Sequence, residues 1–203
     1  MNSETIENFL KNLSSPSPVP AGGAVSALCG ALACALGEMV GNIRQKKLQN
    51  SMLDNLVNRL SQNKVDMLQF KVEDQRAFSR LFNTLKLKKD TDEKKKRRAQ
   101  LLLKGLISAS QVPLSVGQKA VEILENLKAL VAFSSTFMLP DIGCGVSLAE
   151  ACLKTAILNV FINTKLMEDK NKAHNLNIKA QEIYTKGLNL SQKLYKQIKT
   201  KVI

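Results

Sequence analysis

The residue best placed to do chemistry in this chain is Asp74. Over residues 51–85, Leu53, Leu60, Met67, Asp74 and Leu81 recur every seven positions, the spacing of a helix seam that faces a partner. Asp74 therefore stands where the repeat expects an apolar side chain. Burial disfavours the charged form of a carboxylate and raises its pKa, whereas a neighbouring cation lowers it. A carboxylate perturbed in this way is a candidate acid or base. The same position also suits a structural aspartate, paired with a Lys or Arg or accepting fixed hydrogen bonds.

A second carboxylate, Asp141, lies in FMLPDIGCG, where Pro140, Gly143 and Gly145 read as a loop. It either caps the helix that follows or acts as a second functional acid at the mouth of a helix pair. Gly22 and Gly23 follow the proline-rich turn SSPSPVP. A helix starting there has bare N–H groups that favour an anion or a carbonyl oxygen, although a flexible entry turn explains the same residues. Arg44, Lys46 and Lys47 close that helix, where cations complement its dipole. Arg97 and Arg98 end the charged run KLKKDTDEKKKRR, either as a solvated face or as ligands for an anion. The four cysteines, Cys29, Cys34, Cys144 and Cys152, form no CxxC pair, and the one histidine, His174, lies far from them. That pattern argues against a metal site and suits small buried hydrophobes in a reducing cytoplasm.

Two helices of unusual composition must position these groups. In PAGGAVSALCGALACALGEMV, residues 20–40, the only charge is Glu38. Gly23, Ala27, Gly30, Cys34, Gly37 and Gly41 alternate steps of four and three, which aligns them along one helix seam. An interior glycine costs about 1 kcal/mol relative to alanine, so a closely approaching partner must offset the loss. Gly145, Ala149, Cys152, Ala156, Asn159 and Asn163 repeat the spacing. The two seams predict that these helices cross at the centre of the fold, within one subunit or across a dimer axis. Such packing either only permits close approach or also shapes a pocket near the helix ends.

The rest of the chain predicts more helices. Residues 3–13, capped by Ser3, offer Ile6, Phe9, Leu10 and Leu13 as one face. Thr91 reads as the cap of a helix that bends or stops before Pro113. A further helix covers 114–133, and the last runs over 172–202. With 203 residues, 44% of them apolar, and no Trp, the expectation is one all-α domain over 1–203. Its architecture is a multi-helix up-and-down bundle around the two small-residue helices. The net charge of +13 suits an anionic partner or plain solubility. Residues 20–40 are long enough to raise a transmembrane reading, which their Ala/Gly-rich composition disfavours. The acidic, amphipathic start does not resemble a signal peptide, so a cytoplasmic protein without membrane partners is expected.

Taken in order, these motifs resemble the cyclodeaminase/cyclohydrolase family of folate enzymes. The marks are Pro18-Val-Pro20-Ala-Gly22-Gly23-Ala24, Glu38-Met39-Val40-Gly41, Asp74-Gln-Arg-Ala77-Phe78, and Lys94 to Arg98 ahead of Val112-Pro113-Leu114. Asp141 and Asn159-Val160-Phe161-Ile162-Asn163 complete the set. The resemblance spans nearly the whole chain. It implies an all-helical homodimer that binds a tetrahydrofolate one-carbon derivative and needs no cofactor. One implied reaction closes 5-formiminotetrahydrofolate to the methenyl form with loss of ammonia. The other hydrolyses the methenyl form to 10-formyltetrahydrofolate.

By the same resemblance, Asp74 is the functional acid, Gly22 and Gly23 form the glycine loop, Asp141 is the late aspartate, and Asn159 and Asn163 are site amides. Both reactions act on a carbon between two nitrogens. One carboxylate can take the proton of an adding water, supply one to departing ammonia, and stabilise the cation. Folate carries a glutamate tail, often several residues long, for which Lys46, Lys47, Arg97 and Arg98 are candidate partners. The chain departs from the family pattern at Ala21, where the first of three glycines usually stands, and at Pro140, where Ser is frequent. These departures motivate a rival reading, a pseudoenzyme that binds folate without turnover. A second rival, a basic helical dimer binding nucleic acid, is disfavoured by scattered lysines and few aromatics.

Overall fold

The computed structural model describes residues 4–203, so Ser3 lies outside the described residues. Six α-helices follow one another: α1 Ile6–Leu13, α2 Gly22–Gln45, α3 Ser51–Leu85, α4 Asp92–Leu130, α5 Leu139–Lys165 and α6 Lys170–Val202. There is no strand among the described residues. The all-α class is as expected, and α3 has the bounds its repeat predicts. Asn50 caps α3 by accepting from the amides of Met52 (2.9 Å) and Leu53 (3.2 Å). Thr91 caps α4 through Lys94 N–H at 3.3 Å.

Long helices joined by short links must fold back on themselves, and from α2 onward each helix runs antiparallel to the next. A Cβ added to Gly30 or Gly37 of α2 would meet Met67 or Leu60 of α3 respectively, and one on Gly23 would meet Asp74. Asp66 of α3 pairs with Lys119 of α4 at 3.1 Å, and Gly105 of α4 lies against Leu81 of α3. Gly117 of α4 meets Ile157 of α5, and Gly187 of α6 meets Leu153 of α5. The main core draws on all five of these helices.

The glycine seam has a different principal partner from the one its spacing suggested. Small residues of α2 form notches for the large side chains of the α3 seam, stepped by seven on both helices. The small seam of α5 packs on the adjoining side. There Gly145 sits 3.4 Å, measured from its would-be Cβ, from the carbonyl oxygen of Ala33, and Gly30 lies similarly 3.1 Å from Cys152 Sγ. A bulky knob fills a glycine notch with more dispersion contact than a second small residue could, which is why the notch recruits Leu and Met.

Other expectations are corrected. α4 runs unbroken through the buried Pro113. Proline has no N–H to give the carbonyl four residues earlier, here Ala109. Asn163 of α5 supplies it instead, its Nδ2 donating to Ala109 O at 2.8 Å. FMLPDIGCG is not a loop either. The chain turns through two short 3-10 segments, Val131–Phe133 and Thr136–Met138, and α5 starts at Leu139. Pro140 falls in its first turn, where a missing donor is harmless.

On α1, only Phe9 of the proposed face is buried; Ile6 and Leu10 are exposed. Thr5 caps that helix, accepting from Asn8 N–H at 3.2 Å. Of the cysteines, Cys34 and Cys152 are buried, Cys29 is half-buried and Cys144 is exposed. Both α2 and the segment Thr136–Lys165 are long and apolar enough to cross a membrane, a test that core helices of soluble proteins also pass.

Candidate functional site

The first turn of α2 leaves amides without intrahelical acceptors, and Ala21 at its cap offers no side-chain bond. Asp74 of α3 takes that place from outside. Its carboxylate occupies the notch of Gly23 so closely that a Cβ there would overlap all three carboxyl atoms. The nearby amide of Ala24 favours its charged form. A negative charge is favoured at this end of a helix dipole.

Burial nevertheless outweighs the amide and pushes the Asp74 carboxyl up to about 6 from an ordinary 3.8. Asp74 makes no ion pair among the described residues, so a cation does not hold it in the charged form. A carboxylate of this kind exchanges its proton near neutral pH.

α5 closes the other side. Asn159 brings Nδ2 to 3.8 Å from the would-be Cβ of Gly22, while that nitrogen donates to Thr155 O at 2.8 Å. The buried Ser26 hydroxyl lies 2.8 Å from both the Gly22 carbonyl and the Thr155 hydroxyl, tying the start of α2 to α5. Sequence reasoning passed over Ser26. The available signal was that it is the only hydroxyl residue in the 20–40 stretch. Ala21 has φ −136° and ψ −167°, extended backbone that does not require glycine.

Asp74, Gly22, Gly23 and Asn159 thus meet at one end of the bundle. The other expected site residues are placed elsewhere. Asn163 lies one turn beyond Asn159 and spends its donor on Ala109. Arg98 joins helix ends, Nη2 donating to Leu85 O at 3.2 Å, and Arg97 is exposed beside it. Leu85 is eleven residues along α3 from Asp74, about 16 Å.

Lys46 and Lys47 are exposed at the opposite end of α2, roughly 34 Å from Gly23 at 1.5 Å per residue. Asp141 starts α5, about 27 Å from Asn159 by the same rise. It occupies the first turn and makes no side-chain cap. A single chain therefore does not bring Asp141, Lys46 or Lys47 to Asp74. Glu38 is also far from the site, paired with Lys64 of α3.

The chain is an antiparallel bundle of long helices in which the glycine-rich start of α2 meets a buried carboxyl of α3. The chain belongs to the formiminotransferase-cyclodeaminase family, whose model matches residues 5–182. It is 29% identical to a methenyltetrahydrofolate cyclohydrolase of Methylorubrum extorquens, over 98% of each chain. It is 32% identical to the formimidoyltransferase-cyclodeaminase of Gallus gallus over 80% of this chain, which spans 31% of that longer protein. A crystal structure of a formiminotetrahydrofolate cyclodeaminase from Thermotoga maritima superposes with a TM-score of 0.87 at 23% identity, covering 98% of both chains.

Proposed function

We propose that this protein is a folate one-carbon enzyme, a methenyltetrahydrofolate cyclohydrolase or a formiminotetrahydrofolate cyclodeaminase. Asp74 handles the proton. The observation that carries the reading is this unpaired carboxyl, poised near pH 6 against free helix amides, in a chain related end to end to a cyclohydrolase. In hydrolysis, water adds to the cationic carbon between N5 and N10 and Asp74 takes one of its protons; as the bond to N5 breaks, N5 receives that proton from Asp74 and the hydroxyl proton passes to solvent, leaving the formyl group on N10. In the reverse sense of proton flow, protonated Asp74 assists ammonia as it leaves the formimino carbon and N10 closes the ring. The carbon is already electrophilic, so we assign no metal or redox cofactor. We place the enzyme in the cytoplasm.

We further propose a homodimer that completes the site. Leu32, Met39 and Ile43 of α2, and Leu158 and Ile162 of α5, are exposed large apolar residues. On each helix they lie at a similar offset from the α2–α5 contact. Because the helices are antiparallel, that offset puts both stripes on one side of the pair. A second copy seated there about a two-fold axis perpendicular to the helices would set Asp141, Lys46 and Lys47 of one protomer beside Asp74 of the other. The lysines would then meet the folate glutamates.

The test assays both substrates with wild type and Asp74→Asn. Turnover of at least one substrate by wild type, lowered at least ~100-fold in the variant, is expected for a positioned acid or base. Folate binding with no turnover of either substrate by wild type would instead indicate a pseudoenzyme. A fully active Asp74→Asn would remove Asp74 from the mechanism.

A further inference from the structure

Lys71 stands three residues before Asp74 on α3. Side chains at that spacing are neighbours on a helix, so the ammonium is within reach of the carboxyl. It is turned elsewhere. Lys71 Nζ donates to Glu4 Oε2 at 2.8 Å and lies 4.6 Å from the centre of the Phe9 ring. Glu4 stands just ahead of α1, and Phe9 is the buried residue of that helix. An ion pair as open as this one holds weakly alone, and the aromatic face adds a second attraction.

The elements packed around Asp74 offer it no other cation. On α2, residues 20–37 are uncharged, and Glu38 pairs with Lys64. On α4, the contacts of Gly105 with Leu81 and of Lys119 with Asp66 bracket the level of Asp74, and residues 105–118 are uncharged. On α5, residues 155–164 around Asn159 are uncharged as well. Glu7 and Lys11 of α1 and Arg76 and Arg80 of α3 are exposed, and Glu73 accepts from Gln69 at 2.9 Å. Lys71 is thus the cation best placed to neutralise the acid, and α1 decides where it points.

We propose that Glu4 and Phe9 are positioning residues for Asp74: they hold the Lys71 ammonium against α1 and so leave the acid without a counter-ion. A carboxyl that takes and returns a proton near neutral pH loses that ability when a cation one turn away keeps it ionised. The inference rests on the proton-handling role given to Asp74 above, and its test reads the carboxyl directly, without turnover.

The test follows the Asp74 side-chain carboxyl by ¹³C NMR through a pH titration of the full chain. Lys71→Met should leave the midpoint at its wild-type value, because the ammonium is already held away. Glu4→Gln combined with Phe9→Leu releases Lys71 while keeping an apolar residue in the buried position. The midpoint should then fall by about one pH unit, the scale of a nearby opposite charge. Glu4→Gln alone should give part of that fall. Adding Lys71→Met to the pair should return the midpoint to the wild-type value. A midpoint that rises by about one pH unit in Lys71→Met would show that the two groups already pair, and overturns the proposal. An unchanged midpoint in both Glu4→Gln and the combined variant also overturns it, as does a fall that persists once Lys71 is replaced. The acid limb of the pH–rate profile should move with the midpoint. Absence of turnover with these midpoints intact would count against the folate reading while supporting the role of α1.

Discussion

Asp74 of α3 sits in the notch left by Gly23 of α2, in the same register that places Met67 at Gly30 and Leu60 at Gly37. The acid is thus held by the packing scheme that builds the bundle core. Its charge faces free amides because this notch, alone of the three, falls in the first turn of α2.

Gly23→Ala should separate packing from chemistry. The new methyl overlaps the Asp74 carboxyl, which must move, although alanine favours the helix by about 1 kcal/mol. A displacement near 1 Å lowers turnover on the order of 100-fold. Circular dichroism should still report a folded helical protein. Wild-type kcat in this variant would contradict the notch.

The raised pKa of Asp74 has a definite sign in stability. The folded value of about 6 exceeds the ordinary 3.8, so the native protein holds this proton more tightly than the unfolded chain. Stability from this group is full below pH ~4 and falls as pH rises to ~6. Asp74→Asn should therefore be more stable than wild type at pH 7, by up to ~3 kcal/mol, with the gain vanishing below pH ~4. Urea melts at both pH values measure it. In the hydrolytic direction, wild-type rate above background should rise with pH through about 6 and then level.

Subunit complementation tests the composite site. Asp74→Asn and Asp141→Asn should each be inactive alone. Mixed under exchange, half the dimers are hybrids and each hybrid keeps one intact site, so about a quarter of wild-type activity returns. No recovery despite demonstrated exchange would contradict a site that combines Asp74 of one protomer with Asp141 of the other.

The bond from Asn163 to Ala109 should be worth more while Pro113 is present. Asn163→Ala strands the Ala109 carbonyl and should cost about 1–3 kcal/mol. In a Pro113→Ala background the backbone N–H returns and the same change should cost far less. A double-mutant cycle by chemical denaturation reads the difference.

The sequence showed α3 almost completely because its repeat is uninterrupted over 51–85, and the one polar intruder in that repeat is the residue at the site. α4 was less legible. Local rules end a helix before Pro113, and the compensating amide arrives from Asn163, fifty residues away. That Gly22, Gly23, Asp74 and Asn159 meet was legible because one helix end gathers them. For Lys46, Lys47 and Asp141, no local pattern says which end of a bundle a residue occupies. The partner of the glycine seam was misread for a related reason. Spacing reveals that a helix can be approached closely, while the volume of the approaching side chain is decided by another element.

A ladder of equal notches invites sliding, since α3 moved by one rung, about 10 Å, would again offer a large side chain to each glycine. Asp74 penalises that alternative. One rung along, its carboxylate would be sealed between Gly30 and Cys152 with no free amide to meet it, at a cost of several kcal/mol. The carboxyl at the candidate site thereby fixes the alignment of α2 and α3, and its removal should leave mismatched pairings of these helices less disfavoured than they are in the native chain.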